Sequence, residues 1–69
     1  MKLSARNQLQ GTVTGINQGE AIANVALDVA GQRLVASITV EAVQELGISP
    51  GSEVTVIVKA SDVMLAVDD

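Results

Sequence analysis

Residues 21–39, AIANVALDVAGQRLVASIT, predict two strands joined by a tight turn. Apolar side chains alternate with small or polar ones along 21–29 and again along 33–39, which is typical of strands with one buried face. The intervening AGQ, 30–32, is short enough to form a hairpin turn. Upstream, LQGTVTGIN at 9–17 also alternates and predicts a preceding strand. The first half of the chain is therefore predicted to be a three-stranded meander.

The second half of the chain predicts one short helix and two more strands. In TVEAVQELGI, 39–48, apolar residues recur at helical spacing, Thr39 can cap the start, and a glycine suits the end. SPGS, 49–52, has proline and glycine at the two central positions of a type II turn. The segments EVTVIVK, 53–59, and VMLAV, 63–67, then predict strands four and five.

This order of elements predicts an all-β fold, an OB-fold-like five-stranded Greek-key barrel with one short helix between strands 3 and 4. We expect a single domain over residues 1–69. Strands four and five are apolar on both faces, and a barrel of this size cannot bury both. We therefore expect the outer face of at least one of them to contact another subunit.

The composition excludes most catalytic and metal-binding chemistry. The chain has no Cys and no His, which removes disulfides, imidazole and thiolate metal ligands, and catalysis by either residue type. The carboxylates of Asp28, Glu41, Glu45 and Asp62 are interpreted as solvated surface charges. No glycine pattern of a Walker or dinucleotide-binding loop is present. We therefore expect a protein that is not an enzyme.

Charge and size limit the possible partners. Eight acidic residues against four Lys and Arg give a net charge of −4, and the chain has no aromatic residue. Phosphate-tracking cations and base-stacking rings are thus both scarce, so we expect no nucleic-acid partner. No apolar run approaches the ~20 residues of a membrane span, and the N-terminus lacks a signal-peptide pattern. We expect a cytoplasmic protein without a membrane partner, stabilised by oligomerisation because 69 residues form only a small core.

Two of the four cations stand where a predicted strand begins or ends. Arg6 lies in SARN just before the first strand, and Lys59 begins KASD at the end of the fourth. Backbone N–H groups at strand ends, together with Arg, Lys and hydroxyl side chains, are the donors that an oxyanion requires. The residues alone leave two readings open, an anion site and ordinary solubilising surface charges.

Three segments spread over the whole chain closely resemble the molbindins, the Mop family of small molybdate- and tungstate-binding proteins. They are MKLSARNQLQGTV at 1–13, ITVEAVQELG at 38–47 and VIVKASDVML at 56–65. The resemblance implies an OB-like barrel assembled as a homo-hexamer, a trimer of dimers, that binds molybdate or tungstate at subunit interfaces. It further implies a role in intracellular storage, buffering or homeostasis of molybdenum, with no organic cofactor.

The same resemblance implies a set of oxyanion-binding residues. Arg6 and Lys59 would supply positive charge. Hydroxyl donors would come from three further positions, and one alanine would contribute only its backbone N–H. The implied set is Ser4, Arg6, Thr39, Lys59, Ala60 and Ser61. No side chain in it coordinates a metal directly.

One position departs from the family pattern, since relatives often carry a serine where this chain has Ala42. That departure and the aliphatic strand faces support an alternative, an oligomerisation or interaction module that has lost anion binding. A single-stranded nucleic-acid binder is a third reading, supported only by the topology. If the anion site is present, we expect Arg6 to meet Lys59 of a neighbouring subunit.

Overall fold

A computed structural model describes residues 1–69. It contains four strands, one α-helix and one short 3-10 turn. In chain order these are β1 (Asn7–Gln18), β2 (Ile22–Val29), β3 (Gln32–Thr39), α1 (Val40–Leu46), β4 (Glu53–Val58) and the 3-10 turn Ala60–Asp62.

The four strands form one antiparallel sheet in the order β3-β2-β1-β4. The long strand β1 pairs with two neighbours along different parts of its length. Its first half, from Asn7 to Thr12, pairs with β4, and its second half, from Thr12 to Gln18, pairs with β2. The register shifts between Val13 and Gly15, which marks a β-bulge. A bulge bends its strand and increases the local twist, so β1 can join two neighbours that are not coplanar.

The predicted turns are confirmed by their backbone geometry. Ala30 and Gly31 have φ of 51° and 84°, and their flanking residues pair across the hairpin. Positive φ at both central positions is the type I′ pattern, whose twist suits a two-residue hairpin. In SPGS, the Ser52 N–H donates to the Ser49 carbonyl at 2.9 Å, and Gly51 has φ of 97°. That glycine is required because a type II turn places its third residue at positive φ.

Helix α1 begins and ends at the residues that the sequence indicates. The Ala42 N–H donates to Thr39 Oγ1 at 3.0 Å, so Thr39 is the N-cap. Gly47 ends the helix in the left-handed conformation, and its N–H donates to the carbonyls of Val43 and Gln44. The helix buries Val43 in the core. With seven residues it is the only α-helix, and no helix is long and apolar enough to cross a membrane.

The core lies on one face of the sheet and consists of small aliphatic side chains. Its buried members are Val13, Ala23, Val25, Leu27, Val29 and Val43. β2 contributes most of them because it is an inner strand and its alternate residues all face the helix side. Only seven of the 69 residues are buried, so much of the apolar surface lies outside this core.

The predicted fifth strand does not form within the single chain. Residues 63–67 form no strand, and the sheet has four strands rather than five. A strand exists only when a neighbour satisfies its backbone N–H and C=O groups, and this segment has no such neighbour within the chain. The all-β architecture and the helix between the third and fourth strands are confirmed. Closure into an OB-fold-like barrel stays a prediction.

Candidate functional site

The N-terminal segment and the end of β4 meet at one edge of the sheet. Asn7 pairs with Val58 in the antiparallel ladder, so Arg6 and Lys59 each lie one residue beyond a paired position on neighbouring strands. The Asn7 side chain also donates from Nδ2 to the Val58 carbonyl at 3.0 Å. The two cations are therefore brought together by strand pairing within a single chain.

A cleft of about 560 Å³ opens at this point. Five of the six residues that the family resemblance implies line it: Ser4, Arg6, Lys59, Ala60 and Ser61. Three further residues complete its lining and were not predicted: Ala5, Ile57 and Asp62. The segments SARN and KASD, which are 52 residues apart in sequence at Asn7 and Lys59, thus form one surface.

The cleft combines positive charge with hydrogen-bond donors. Arg6 and Lys59 are its cations, and Asp62 is its single carboxylate. The 3-10 turn is closed by the N–H of Asp62, 2.9 Å from the Lys59 carbonyl, and the N–H of Val63, 3.2 Å from the Ala60 carbonyl. The N–H groups of Ala60 and Ser61 are therefore not used within the turn. With the serine hydroxyls, they make the cleft chemically suited to an anion.

Two amide side chains fix the shape of the N-terminal segment. Asn7 ties the start of β1 to the end of β4, and Gln8 Nε2 donates to the Ala5 carbonyl at 3.3 Å. Neither residue was predicted to belong to the site. Both lie next to Arg6 in the sequence SARNQL, which could have drawn attention to them. The role of Asn7, however, depends on Val58, which is far away in the sequence. Both residues position the cleft rather than line it.

Thr39 lies at the opposite end of the sheet from the cleft. It pairs with Ile22 at the end of the β2–β3 ladder, close to the pair Gln18 and Ala23 at the C-terminal end of β1. The cleft lies at the N-terminal end of that twelve-residue strand. At the rise of an extended strand, the two ends are about 35 Å apart along β1. One chain therefore does not bring Thr39 to Arg6 and Lys59.

The chain's own Arg6 and Lys59 line the same cleft, which differs from the expectation that Arg6 meets Lys59 of a neighbour. That expectation did not take into account the antiparallel pairing of β1 with β4, which places the two strand ends side by side.

Except for Ala5, every residue that lines the cleft is solvent-exposed. An anion in this cleft would keep much of its hydration unless another surface covered it. No group of three or more Asp or Glu residues is placed to hold a metal ion.

Comparison with known proteins assigns the chain to a family. A family model described as the TOBE domain matches residues 3–65. Molybdenum-pterin-binding protein 2 of Clostridium pasteurianum is 46% identical over 66 residues, which cover 94% of this chain and 97% of that protein.

Solved structures agree with that assignment. A molybdate-binding protein from Sporomusa ovata is 41% identical and superposes with a TM-score of 0.92, covering 96% of this chain and 98% of that one. The cytoplasmic molybdate-binding protein ModG, solved with molybdate bound, is 39% identical with a TM-score of 0.83, over 87% of this chain and 43% of that one. The names of these relatives describe the binding of molybdate or molybdenum-pterin. The chain therefore belongs to the TOBE domain family and, within it, to the molbindin (Mop) proteins.

Proposed function

We propose that this protein binds molybdate, and also tungstate, in the cleft between the N-terminal segment and the end of β4. The observation that carries the proposal is the convergence of Ser4, Arg6 and Lys59–Ser61 on one surface. The relatives that share the fold are named for binding molybdate or molybdenum-pterin. The role is intracellular storage, buffering or homeostasis of molybdenum in the cytoplasm.

The chemistry of the cleft matches a tetrahedral dianion. Arg6 and Lys59 together neutralise two negative charges, while hydroxyl and backbone N–H groups donate to the remaining oxygens. The whole chain carries −4, so long-range attraction does not bring an anion to the protein. Binding strength must come from short charge-assisted hydrogen bonds, each worth about 1.5–3 kcal/mol when shielded from water.

The ligand we propose is the inorganic oxyanion rather than a pterin. A relative bears the name molybdenum-pterin-binding protein, so a pterin deserves consideration. A flat conjugated ring system is usually held against aromatic side chains, and this chain has none. Apart from the carboxylate of Asp62, the polar groups of the cleft suit oxygen atoms that accept hydrogen bonds.

The complete site lies between subunits in our proposal. Thr39 belongs to the implied set but lies at the far end of the sheet, so only a neighbouring chain can bring it to the cleft. Its Oγ1 accepts the bond from Ala42, which leaves the hydroxyl hydrogen free to donate to an anion. A second subunit would also exclude water from the exposed cleft. We propose a homo-hexamer, a trimer of dimers, in which each chain contributes one domain over residues 1–69.

Calorimetric titration of the purified protein with molybdate and tungstate, with sulfate as the control anion, tests the proposal. We expect Arg6→Ala and Lys59→Ala each to weaken molybdate binding by about 10- to 100-fold, the equivalent of one lost charge-assisted bond. Arg33→Ala is the matched control, because Arg33 is an exposed arginine of β3 that does not line the cleft. Equal binding by all three variants would contradict the residue assignment.

The alternative function is an oligomerisation module without anion binding, which the alanine at position 42 favours. Native mass spectrometry separates the two readings. A hexamer that gives no heat with molybdate above the sulfate control supports the module. Elemental analysis of the protein isolated from molybdate-supplemented cells tests the storage role, for which we expect bound molybdenum in the wild type and little in Lys59→Ala.

A further inference from the structure

The carboxylate of Asp62 has no role in binding a fully deprotonated anion. It lines the cleft together with the cations Arg6 and Lys59. An ionised carboxylate only accepts hydrogen bonds, and the oxygens of molybdate, tungstate and sulfate at neutral pH also only accept them. A site for such anions alone gains nothing from a carboxylate. Asp62 therefore indicates a ligand that can also donate a hydrogen bond.

Backbone hydrogen bonds fix Asp62 next to the donors of the cleft. Its N–H donates to the Lys59 carbonyl at 2.9 Å and so closes the 3-10 turn. The same turn contains Ala60 and Ser61, whose N–H groups are not used within it. All four residues line the cleft. The turn therefore presents one acceptor and several donors to the same bound molecule.

The charges of the cleft favour an anion that has kept a proton. Two cations and one carboxylate give the lining a net charge of +1. A fully deprotonated dianion exceeds that charge, and an oxygen placed near Asp62 would be repelled by a second negatively charged acceptor. Inorganic phosphate at neutral pH carries one or two O–H groups, and each can donate to the carboxylate. An O–H bond to an ionised acceptor is short and roughly twice as strong as one between neutral groups.

Cavity size cannot make this distinction within a single chain. The cleft measures about 560 Å³, whereas one water molecule takes up about 30 Å³ of liquid, so a tetrahedral anion shares the cleft with many waters. Phosphate and sulfate have nearly the same shape and size, and they differ in the proton that phosphate retains. A group that accepts a hydrogen bond from the ligand rejects an analogue that lacks the donor. Asp62 can therefore separate two anions that the cleft volume cannot.

We propose that Asp62 selects tetrahedral oxyanions by their protonation, so that the cleft binds inorganic phosphate in its hydrogen-bearing forms in preference to sulfate. The inference rests on the proposed function, because it concerns the same cleft. Phosphate then occupies the cleft when molybdate is scarce and competes with molybdate for it. Molybdate, like sulfate, has no proton to donate to Asp62. It must gain its binding from donors that a neighbouring subunit brings, Thr39 among them.

NMR titration of the isotope-labelled protein tests the selection, with the backbone N–H signals of Ala60 and Ser61 as reporters. Phosphate and sulfate are added separately at neutral pH and equal ionic strength. We expect wild type to bind phosphate about three- to fivefold more tightly than sulfate, a modest ratio because the cleft is exposed. In Asp62→Asn, sulfate binding should tighten and the preference should disappear. Equal affinities in wild type, or an unchanged preference in Asp62→Asn, would overturn the proposal.

Two controls isolate the proton as the recognised feature. Asp28→Asn makes the same chemical change at an exposed residue of β2 that does not line the cleft, and it should keep the preference for phosphate. Methyl phosphate at a pH of about 8 has the phosphate shape without an O–H group, because a phosphate monoester loses its last proton with a pKa of about 6. It should bind wild type no better than sulfate does. Binding as tight as that of inorganic phosphate, or loss of the preference in Asp28→Asn, would contradict selection by Asp62.

A molybdate titration on the same two signals separates failure of this inference from failure of the proposed function. If molybdate shifts the signals of Ala60 and Ser61 while phosphate and sulfate bind equally, selection by protonation is wrong and the molybdate site stands. If phosphate is preferred over sulfate but molybdate does not bind, the selection stands and the proposed function is wrong. If none of the three anions shifts these signals, both are wrong.

Discussion

Strand β2 and the C-terminal tail, residues 63–67, are built from the same kinds of residue, yet one is buried and the other is exposed. Both contain Val, Leu and Ala in extended runs, yet Val25 of β2 is 2% exposed and Leu65 of the tail is 93% exposed. β2 has strands on both sides and a helix over one face, whereas the tail pairs with no strand of its own chain and lies outside the core. The comparison shows that an apolar strand-like sequence specifies a strand only where a sheet edge is available to it.

Shortening one side chain to alanine in each region gives the strongest test of this comparison. We expect Val25→Ala to lower the free energy of unfolding by about 2–3 kcal/mol, because it removes buried methyl groups and leaves a cavity. Leu65→Ala should lower stability only through association. Urea unfolding at several protein concentrations measures both effects. A concentration-independent loss in Leu65→Ala, as large as that of Val25→Ala, would show that the tail packs within its own chain.

The two glycines of β1 lie in surroundings of different packing density. Gly11 is closely packed, and Gly15 has open space around its Cβ position. A Cβ built on Gly11 lies 3.0 Å from Val29 Cγ2 and 3.3 Å from both the Asp28 carbonyl and Val56 Cγ2. We expect Gly11→Ala to cost about 1–3 kcal/mol of stability through overpacking. Gly15→Ala is the control, since nothing lies within 4 Å of its Cβ position. Thermal unfolding of the two variants should differ clearly, and equal melting temperatures would contradict close packing at Gly11.

Substitutions at Thr39 distinguish its local role as the N-cap of α1 from its proposed role in the anion site. Thr39→Ala removes the bond that the Ala42 N–H makes to Oγ1, so we expect a loss of about 1 kcal/mol in unfolding free energy. Thr39→Ser keeps an N-cap and should be nearly neutral. If Thr39 of a neighbouring subunit also contacts the anion, titration will show weaker molybdate binding by the alanine variant alone. Unchanged binding by Thr39→Ala would remove Thr39 from the site.

Substitution of Asp62, which lies on the 3-10 turn before residues 63–67, should give the smallest of these effects, a modest change in molybdate affinity. Its carboxylate lines the cleft beside Arg6 and Lys59 and opposes an incoming anion. We expect Asp62→Asn to tighten molybdate binding by up to about fivefold at low salt, because exposed charge pairs are weak. The gain should shrink as salt is added. Glu45→Gln, on helix α1, is the control for a general change in net charge, and an equal gain there would contradict a local effect of Asp62.

Sequence patterns were sufficient for most of the local structure. Period-two alternation located three strands of the meander and β4, and the helix between Thr39 and Gly47 followed from its cap residues. These features depend on interactions within a few residues, which is why the amino-acid order alone predicts them. Of the six residues that the family resemblance implied, the structure brings five into one cleft. Composition and spacing alone had left Arg6 and Lys59 as possible surface charges.

Longer-range relations could be seen only in the folded chain. The pairing of Asn7 with Val58 brings Arg6 beside Lys59 of the same chain, and it gives Asn7 and Gln8 their positioning roles. The antiparallel sheet also separates Thr39 from the cleft by the length of β1. Residue order can suggest that 63–67 favours an extended conformation. Whether that segment becomes a strand depends on which edge it can reach, because strand pairing is satisfied by neighbours distant in sequence or in another chain.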